Sequence, residues 1–175
     1  LLGHDEPHSE ISRPIRAKRT GGKDIIREYR TEDRDALVQL FVETVHQVNA
    51  RDYTPAQLDA WAPREQDLER WGRTFLHHRT FICQREGQTA GFATLDGDYF
   101  DHLFVHKDWQ GQGVATELCQ AVEGEAKKQG VQQLDVAASI TARPFFQHRG
   151  YRVLQEQTIE RRGCQLTNYK MQKDL

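Results

Sequence analysis

The 175-residue sequence lacks most of what would tie it to a metal, a membrane or a nucleic acid. Its three cysteines, Cys83, Cys119 and Cys164, are odd in number and widely spaced, and no CxxC pair occurs. That argues against a disulfide framework or a thiolate metal site, and no metal cofactor is expected. Free thiols fit a reducing cytoplasm. The one histidine pair, His77-His78, makes a poor metal clamp, because adjacent residues diverge on a helix and face opposite ways on a strand. No apolar run approaches the roughly 20 residues of a membrane span. The first residues lack the basic and apolar regions of a secretory leader, so no export signal is expected. With 24 Lys+Arg against 26 Asp+Glu, the net charge is −2 and no basic face stands out. Neither a nucleic acid nor a membrane surface is expected as a partner.

What is present reads as one α/β domain. Residues 1–23 are polar and punctuated by Pro7, Pro14, Gly21 and Gly22, which predicts a flexible tail before a domain at 24–175. Ile25, Ile26 and Tyr29 suggest a first strand. Leu37, Leu40, Phe41, Val45 and Val48 recur at helical spacing over 33–49. Thr54-Pro55 is an N-cap followed by proline at the first helical position, and a further helix is expected over 67–77. Strands are then expected over 79–85, 89–96 and 99–106, with a hairpin turn at Glu86-Gly87-Gln88. A bulge is expected near Gly91. Val114, Leu118, Ala121 and Val122 mark a helix over 113–129, capped by Gly130. A strand over 131–139, a short helix over 142–148 and two strands over 151–160 and 164–172 complete the chain. A helix separates 99–106 from 131–139, so those two strands should be parallel within a mixed sheet with helices on both sides.

The segment from Leu103 to Glu117 leaves a strand, makes a turn containing Gly111 and Gly113, and opens a helix. Unpaired N–H groups and the positive end of the helix dipole make such a turn an anion site. Glycine there lets a phosphate approach the backbone. A dinucleotide fold would want a third glycine and a position after the first strand of the sheet; here Thr116 replaces that glycine and several strands come first. The lysine of an ATP-binding loop is absent as well.

Gln110-x-x-Gly113-x-Ala115, following Leu103-Phe104-Val105, resembles the pyrophosphate-arm motif of the GCN5-related N-acetyltransferase (GNAT) superfamily. The segment from Ala138 to Tyr151, with Phe145-Phe146 and Gly150-Tyr151, resembles a second motif of that family. The resemblance covers roughly residues 24–173. It implies the family's acyl-CoA N-acyltransferase fold, a mixed and mostly antiparallel sheet with a central parallel pair and flanking helices. It also implies acetyl-CoA as co-substrate, an amine of a small molecule or peptide as acceptor, direct transfer in a ternary complex, and an option of homodimers. Gly111, Gln112, Gly113, Val114 and Ala115 would bind the pyrophosphate through backbone N–H groups, with Gln110 shaping the loop. Leu103, Phe104 and Val105 would offer backbone hydrogen bonds to the pantetheine and a donor for the oxyanion. Ser139 would touch the pantetheine, and Phe145 and Phe146 would line the thioester end.

The proton chemistry departs from the family pattern. The tyrosine that donates to the leaving thiolate in many members is Phe146 here. A glutamate that serves as base in histone-type members falls on Tyr99. Asp101, two residues on and on the same face, is the first candidate base, then Asp98, then Tyr99 acting through water. His46, Tyr53, Trp61 and Trp71 are candidates for the acceptor pocket, and Arg161-Arg162 for steering an anionic substrate. The alternatives are a non-catalytic acyl-CoA-binding regulatory module on the same fold and, more remotely, a dinucleotide-dependent enzyme.

Overall fold

A computed structural model describes residues 24–175, so the flexible-tail reading of 1–23 lies outside the described residues. Tight turns set the framework. Strands β2 (Arg79–Arg85) and β3 (Gln88–Asp96) are joined by Glu86-Gly87, both at positive φ (52° and 75°), a turn whose twist matches that of the strands. The last two strands, β6 (Arg152–Arg161) and β7 (Cys164–Asp174), repeat the device at Arg162-Gly163 (46° and 78°). With β1 (Ile25–Glu28), β4 (Tyr99–Val105) and β5 (Gln133–Ser139) they form one seven-stranded sheet in the order β1-β2-β3-β4-β5-β7-β6. All neighbours are antiparallel except β4 and β5. This order sets aside the dinucleotide reading, which needs a parallel sheet starting at the glycine loop.

The helices are α1 (Arg34–Gln47), α2 (Pro55–Trp61), α3 (Leu68–His77), α4 (Val114–Lys128) and α5 (Arg143–His148). The helix expected over 33–49 is shorter, flanked by one-turn 3₁₀ segments at Thr31–Asp33 and Asn49–Arg51. Asp33 turns inward instead of continuing a helix. Its carboxylate takes two bonds from Arg27 (2.7 and 2.8 Å) and one from the Arg30 N–H (2.8 Å). Thr54 caps α2 as expected, exchanging hydrogen bonds with Gln57, and Asp67 caps α3.

The sheet divides two cores. On one face, Val114, Leu118, Cys119, Val122 and Ala126 of α4 pack on Phe81, Cys83, Phe100, Leu134, Val136 and Met171. On the other, α1 to α3 bring Leu37, Phe41, Val45, Leu58 and Phe75 onto Ile82, Phe92 and Leu166. Gly91 sets the fit of α4 to the sheet. A Cβ there would stand 2.7 Å from the Phe104 carbonyl oxygen and 3.1 Å from both Leu118 and Val114. The bulge expected near Gly91 is present beside it, where Cys83 pairs with Gly91 and Gln84 with Thr89. Among the described residues no helix is long and apolar enough to cross a membrane.

Candidate active site

The glycine turn is built by side chains that hold backbone. After β4, the His106 N–H bonds Ala90 (2.8 Å) and His106 Nδ1 accepts the Asp108 N–H (3.0 Å). That starts a 3₁₀ turn at Lys107–Trp109, pinned by the buried Trp109 ring. Gln110 Nε2 then donates to the Val105 carbonyl (2.5 Å), and Gln112 Nε2 to the Asp108 carbonyl (3.0 Å). Gly111 (φ 67°) and Gly113 (φ 82°) take left-handed conformations, and Gly113 is the N-cap of α4. The first helical bond runs from the Glu117 N–H to the Gly113 carbonyl. The N–H groups of Val114, Ala115 and Thr116 therefore have no intrahelical acceptor, and Gly113 has no side chain to supply one. Among the described residues, no atom beyond the chain neighbours lies within 4 Å of where a Cβ would stand on either glycine. The turn is thus shaped by backbone demand, with open space beside both glycines, which lets an anion approach.

A gap leads into it. Strands β4 and β5 pair only at Tyr99–Asp135 and Phe100–Val136, and then part. Their divergence starts at a bulge: Thr94 pairs with His102 and Leu95 with Phe100, so Asp101 has no partner on β3. A bulge bends and twists its strand away from its neighbour. Beyond it, the His106 N–H points to β3, so by alternation the amides of Leu103 and Val105 point into the gap. The Phe104 amide points to β3 instead. Its ring lies on the α1–α3 face, where it meets Phe41 (5.0 Å) and Trp61 (6.4 Å).

The bulge also rearranges side chains. Strict alternation would send Asp101 and His102 to opposite faces. Here both lie toward α3. His102 Nδ1 is 2.7 Å from Thr94 Oγ1 and 3.5 Å from Asp101 Oδ2. Asp101 Oδ2 is 3.4 Å from His78 Nε2, which is also 3.2 Å from Asp96 Oδ2. His78 Nδ1 donates to the Thr74 carbonyl (2.8 Å), which fixes its tautomer. Burial holds the His102 imidazole below its ordinary value; Asp101 opposes that shift and His78 adds to it. Trp71 packs against His102 at 5.2 Å and donates its indole N–H to Gln66. Half-buried Trp61, Trp71 and Phe104 form an aromatic wall beside this cluster. His102 carries no sequence signal, because only the unforeseen bulge turns it to this face.

Other expected residues fall differently. Asp98 lies in the turn before β4, at the closed end of the strand pair, where its carbonyl accepts the Asp135 N–H; this separates it from the gap. Tyr99 projects to the α1–α3 face at the first of the two paired positions. Its phenol is raised by burial and by Asp101, which keeps it protonated and unsuited to act as a base. Ser139 Oγ accepts the Ala142 N–H (3.0 Å) at the start of α5 and retains its proton for donation. Phe146 is 2% exposed, wedged against Phe100 and Tyr151, which leaves half-buried Phe145 nearer the surface. His46 Nε2 bonds the Ala62 carbonyl, and Arg162 the Ala60 carbonyl. Both therefore brace the end of α2. Tyr53 donates to the Thr167 carbonyl and accepts from the Ile140 N–H, fastening the segment after α1 to the ends of β5 and β7. Among the described residues no group of three or more His, Cys, Asp or Glu is placed to hold a metal ion.

The chain has known relatives. A family model described as an acetyltransferase (GNAT) domain matches residues 49–173. An uncharacterized N-acetyltransferase, YafP, of Escherichia coli (strain K12) is 32% identical over 147 residues, covering 83% of this chain and 93% of that protein. A solved structure from Rhodopseudomonas palustris, described as a GCN5-related N-acetyltransferase (aminotransferase, class II), superposes with a TM-score of 0.84. It is 35% identical and covers 89% of this chain and 98% of its own. A Salmonella typhimurium acetyltransferase, yncA, solved with its cofactor acetyl-CoA, shares the fold at a TM-score of 0.68 and 16% identity, over 87% of this chain and 94% of its own.

Proposed function

The chain belongs to the GNAT acetyltransferase family, and from that premise we propose that it transfers acetyl from acetyl-CoA to the nitrogen of a small-molecule or peptide amine, within a ternary complex. The observation that carries this reading is the parting of β4 and β5 after Phe100, in line with the open glycine turn at the head of α4. A linear pantetheine arm fits such a gap as an added strand, bonding the Leu103 and Val105 amides. The diphosphate at its end then meets the amides of 111–115. A Salmonella protein of this fold carries acetyl-CoA, which supports the choice of co-substrate.

The acceptor comes from the α1–α3 face, past Trp61, Trp71 and Phe104. Its nitrogen attacks the thioester carbonyl carbon, and the Leu103 N–H donates to the developing oxyanion. The C–S bond then breaks with its electron pair on sulfur. Phe146 cannot donate a proton, and a thiolate with a pKa of about 8.5, by analogy with free thiols, leaves without one. The amine proton passes to the groups gathered at the β4 bulge.

Calorimetry with acetyl-CoA and with NAD, followed by a thiol-release assay over amines, amino acids, aminoglycosides and peptides, tests the reading. Binding of acetyl-CoA alone, with thiol release dependent on one acceptor class, is expected. Binding of acetyl-CoA without release on any acceptor would favour the regulatory module. That alternative draws its support from the buried Phe146.

A further inference from the structure

Resting on the acetyl-transfer reading above, we infer that His102 is the base that takes the amine proton, and that Asp101, His78 and Asp96 form a relay that carries it out to solvent. The four side chains lie in sequence, with successive contacts of 3.5, 3.4 and 3.2 Å. The chain ends at the surface: the side chains are 18% exposed at His102, 30% at Asp101, 9% at His78 and 50% at Asp96. His77, 78% exposed, stands 3.8 Å beyond Asp96. Contacts of this length are loose for proton transfer, as catalytic hydrogen bonds often are before substrate binds.

Each link has the chemistry that its place requires. His102 Nε2 has no hydrogen-bond partner among the described residues, while Nδ1 is held by Thr94. A hydroxyl both accepts and donates, so Thr94 supports an imidazole protonated at Nδ1 before transfer and one protonated at Nε2 afterwards. The amine proton enters at Nε2. A second proton leaves from Nδ1 to Asp101 Oδ2, so the ring is neutral again and no charge builds up beside the thiolate. His78 receives at Nε2, its Nδ1–H fixed on the Thr74 carbonyl, and releases to Asp96. Burial keeps His102 unprotonated at neutral pH, the state a base needs. The charged and titratable groups around it are Asp101 from β4 and His78 from the end of α3, with Asp96 reached through His78. Thr94, Trp71, Phe92 and Phe104 also surround it and carry no charge. His102 alone is a catalytic residue; Asp101 and His78 act through it.

The test reads pH profiles of kcat/KM for thiol release, with acetyl-CoA affinity measured alongside. His102→Gln should lower kcat by about 10²-fold or more with acetyl-CoA affinity unchanged, consistent with loss of a general base. The acid limb of the wild-type profile should report His102. Asp101→Asn should move that limb to lower pH, and His78→Gln should move it to higher pH, because the two charges act on His102 with opposite sign. The rate of His78→Gln should rise with the concentration of a small buffer acid–base pair, which replaces the lost link. A purely structural role would move neither the limb nor the buffer dependence. An acid limb that stays put in both variants, or a His102→Gln enzyme with undiminished kcat, overturns the relay alone. Should His102→Gln fail to fold, NMR titration of the wild-type protein decides: His102 must titrate below the ordinary histidine value of about 6.5, and titration above it overturns the assignment. A wild-type protein that binds acetyl-CoA but releases no thiol to any amine overturns the transfer reading and the relay together.

Discussion

The side-chain amide of Gln110 donates to the main-chain carbonyl of Val105 at 2.5 Å, closing the turn between β4 and α4 from inside. One bond thus links the last residue of the strand that borders the gap to the first residue of the glycine turn. Gln110→Ala should leave the fold intact and loosen that link. A net hydrogen bond contributes about 1 kcal/mol. Calorimetry should show acetyl-CoA affinity falling by roughly 3- to 10-fold, with a melting temperature close to that of the wild type.

Gly113 and Gly97 allow a controlled comparison. Both sit at positive φ (82° and 61°), and among the described residues a Cβ on either meets no atom beyond its chain neighbours within 4 Å. Alanine at either position should therefore bring similar backbone strain, about 1 kcal/mol. Only Gly113 faces the space assigned to the diphosphate. Gly113→Ala should weaken acetyl-CoA binding by about 10-fold or more, and Gly97→Ala should leave it unchanged. Equal affinities in the two variants would show that the diphosphate lies elsewhere.

Gly91 acts at a distance from the ligand. Its missing Cβ lets α4 lie against the Phe104 carbonyl, and Val114, one of the side chains it would strike, belongs to the first turn of that helix. Backbone on one side and two buried side chains on the other leave little room to yield. Gly91→Ala should reduce stability by about 1–3 kcal/mol in urea titrations, as overpacking does. Acetyl-CoA affinity should fall as well, because displacing α4 displaces its N-terminal amides.

Glu123 supplies the acid sensitivity of the α4 core. It is 7% exposed and accepts bonds from Arg149 (2.9 Å), Lys173 (3.1 and 3.2 Å), Tyr151 (3.1 Å) and Cys119 (3.3 Å). Burial raises its carboxyl, but Lys173, Cys119 and Arg149 together outweigh burial and hold it below the ordinary value. A carboxyl depressed by folding contributes stability above its unfolded pKa of about 4.3. That contribution is lost as pH falls through the folded value. Glu123→Gln should therefore lose stability at neutral pH and show a flatter acid limb below about pH 4. Glu123→Ala, which leaves the half-buried Arg149 and Lys173 cations without their carboxylate, should lose about 1–3 kcal/mol. Burial and the neighbouring Glu123 charge push the Cys119 thiol up to about 12, so this cysteine should resist alkylation in the native protein.

The elements themselves were legible because their signals are local. Leu37, Phe41 and Val45 announce a buried helix face, Thr54-Pro55 a helix start, and Glu86-Gly87 a tight hairpin. All stand where the spacing put them. The glycine turn was legible for the same reason. The face to which we assign proton transfer was not. It depends on one extra residue, Asp101, opposite β3, and nothing in the run Tyr99-Phe100-Asp101-His102 marks where the bulge falls. Without it, alternation sends His102 away from Asp101, and the pair His77-His78 looks idle. His46, Tyr53 and Arg162 show the converse. Their chemistry suggested a pocket, but each is bonded to a backbone carbonyl, those of Ala62, Thr167 and Ala60 respectively. Two of those contacts span more than a hundred residues, a separation that sequence spacing does not reveal.

Hydrogen exchange read by mass spectrometry, with and without saturating acetyl-CoA, tests the location of the site most directly. The expected result is slowed exchange confined to the amides of 103–105, 110–117 and 137–139, the two borders of the gap and the turn at its end. Protection at other segments with these amides unchanged would contradict the account.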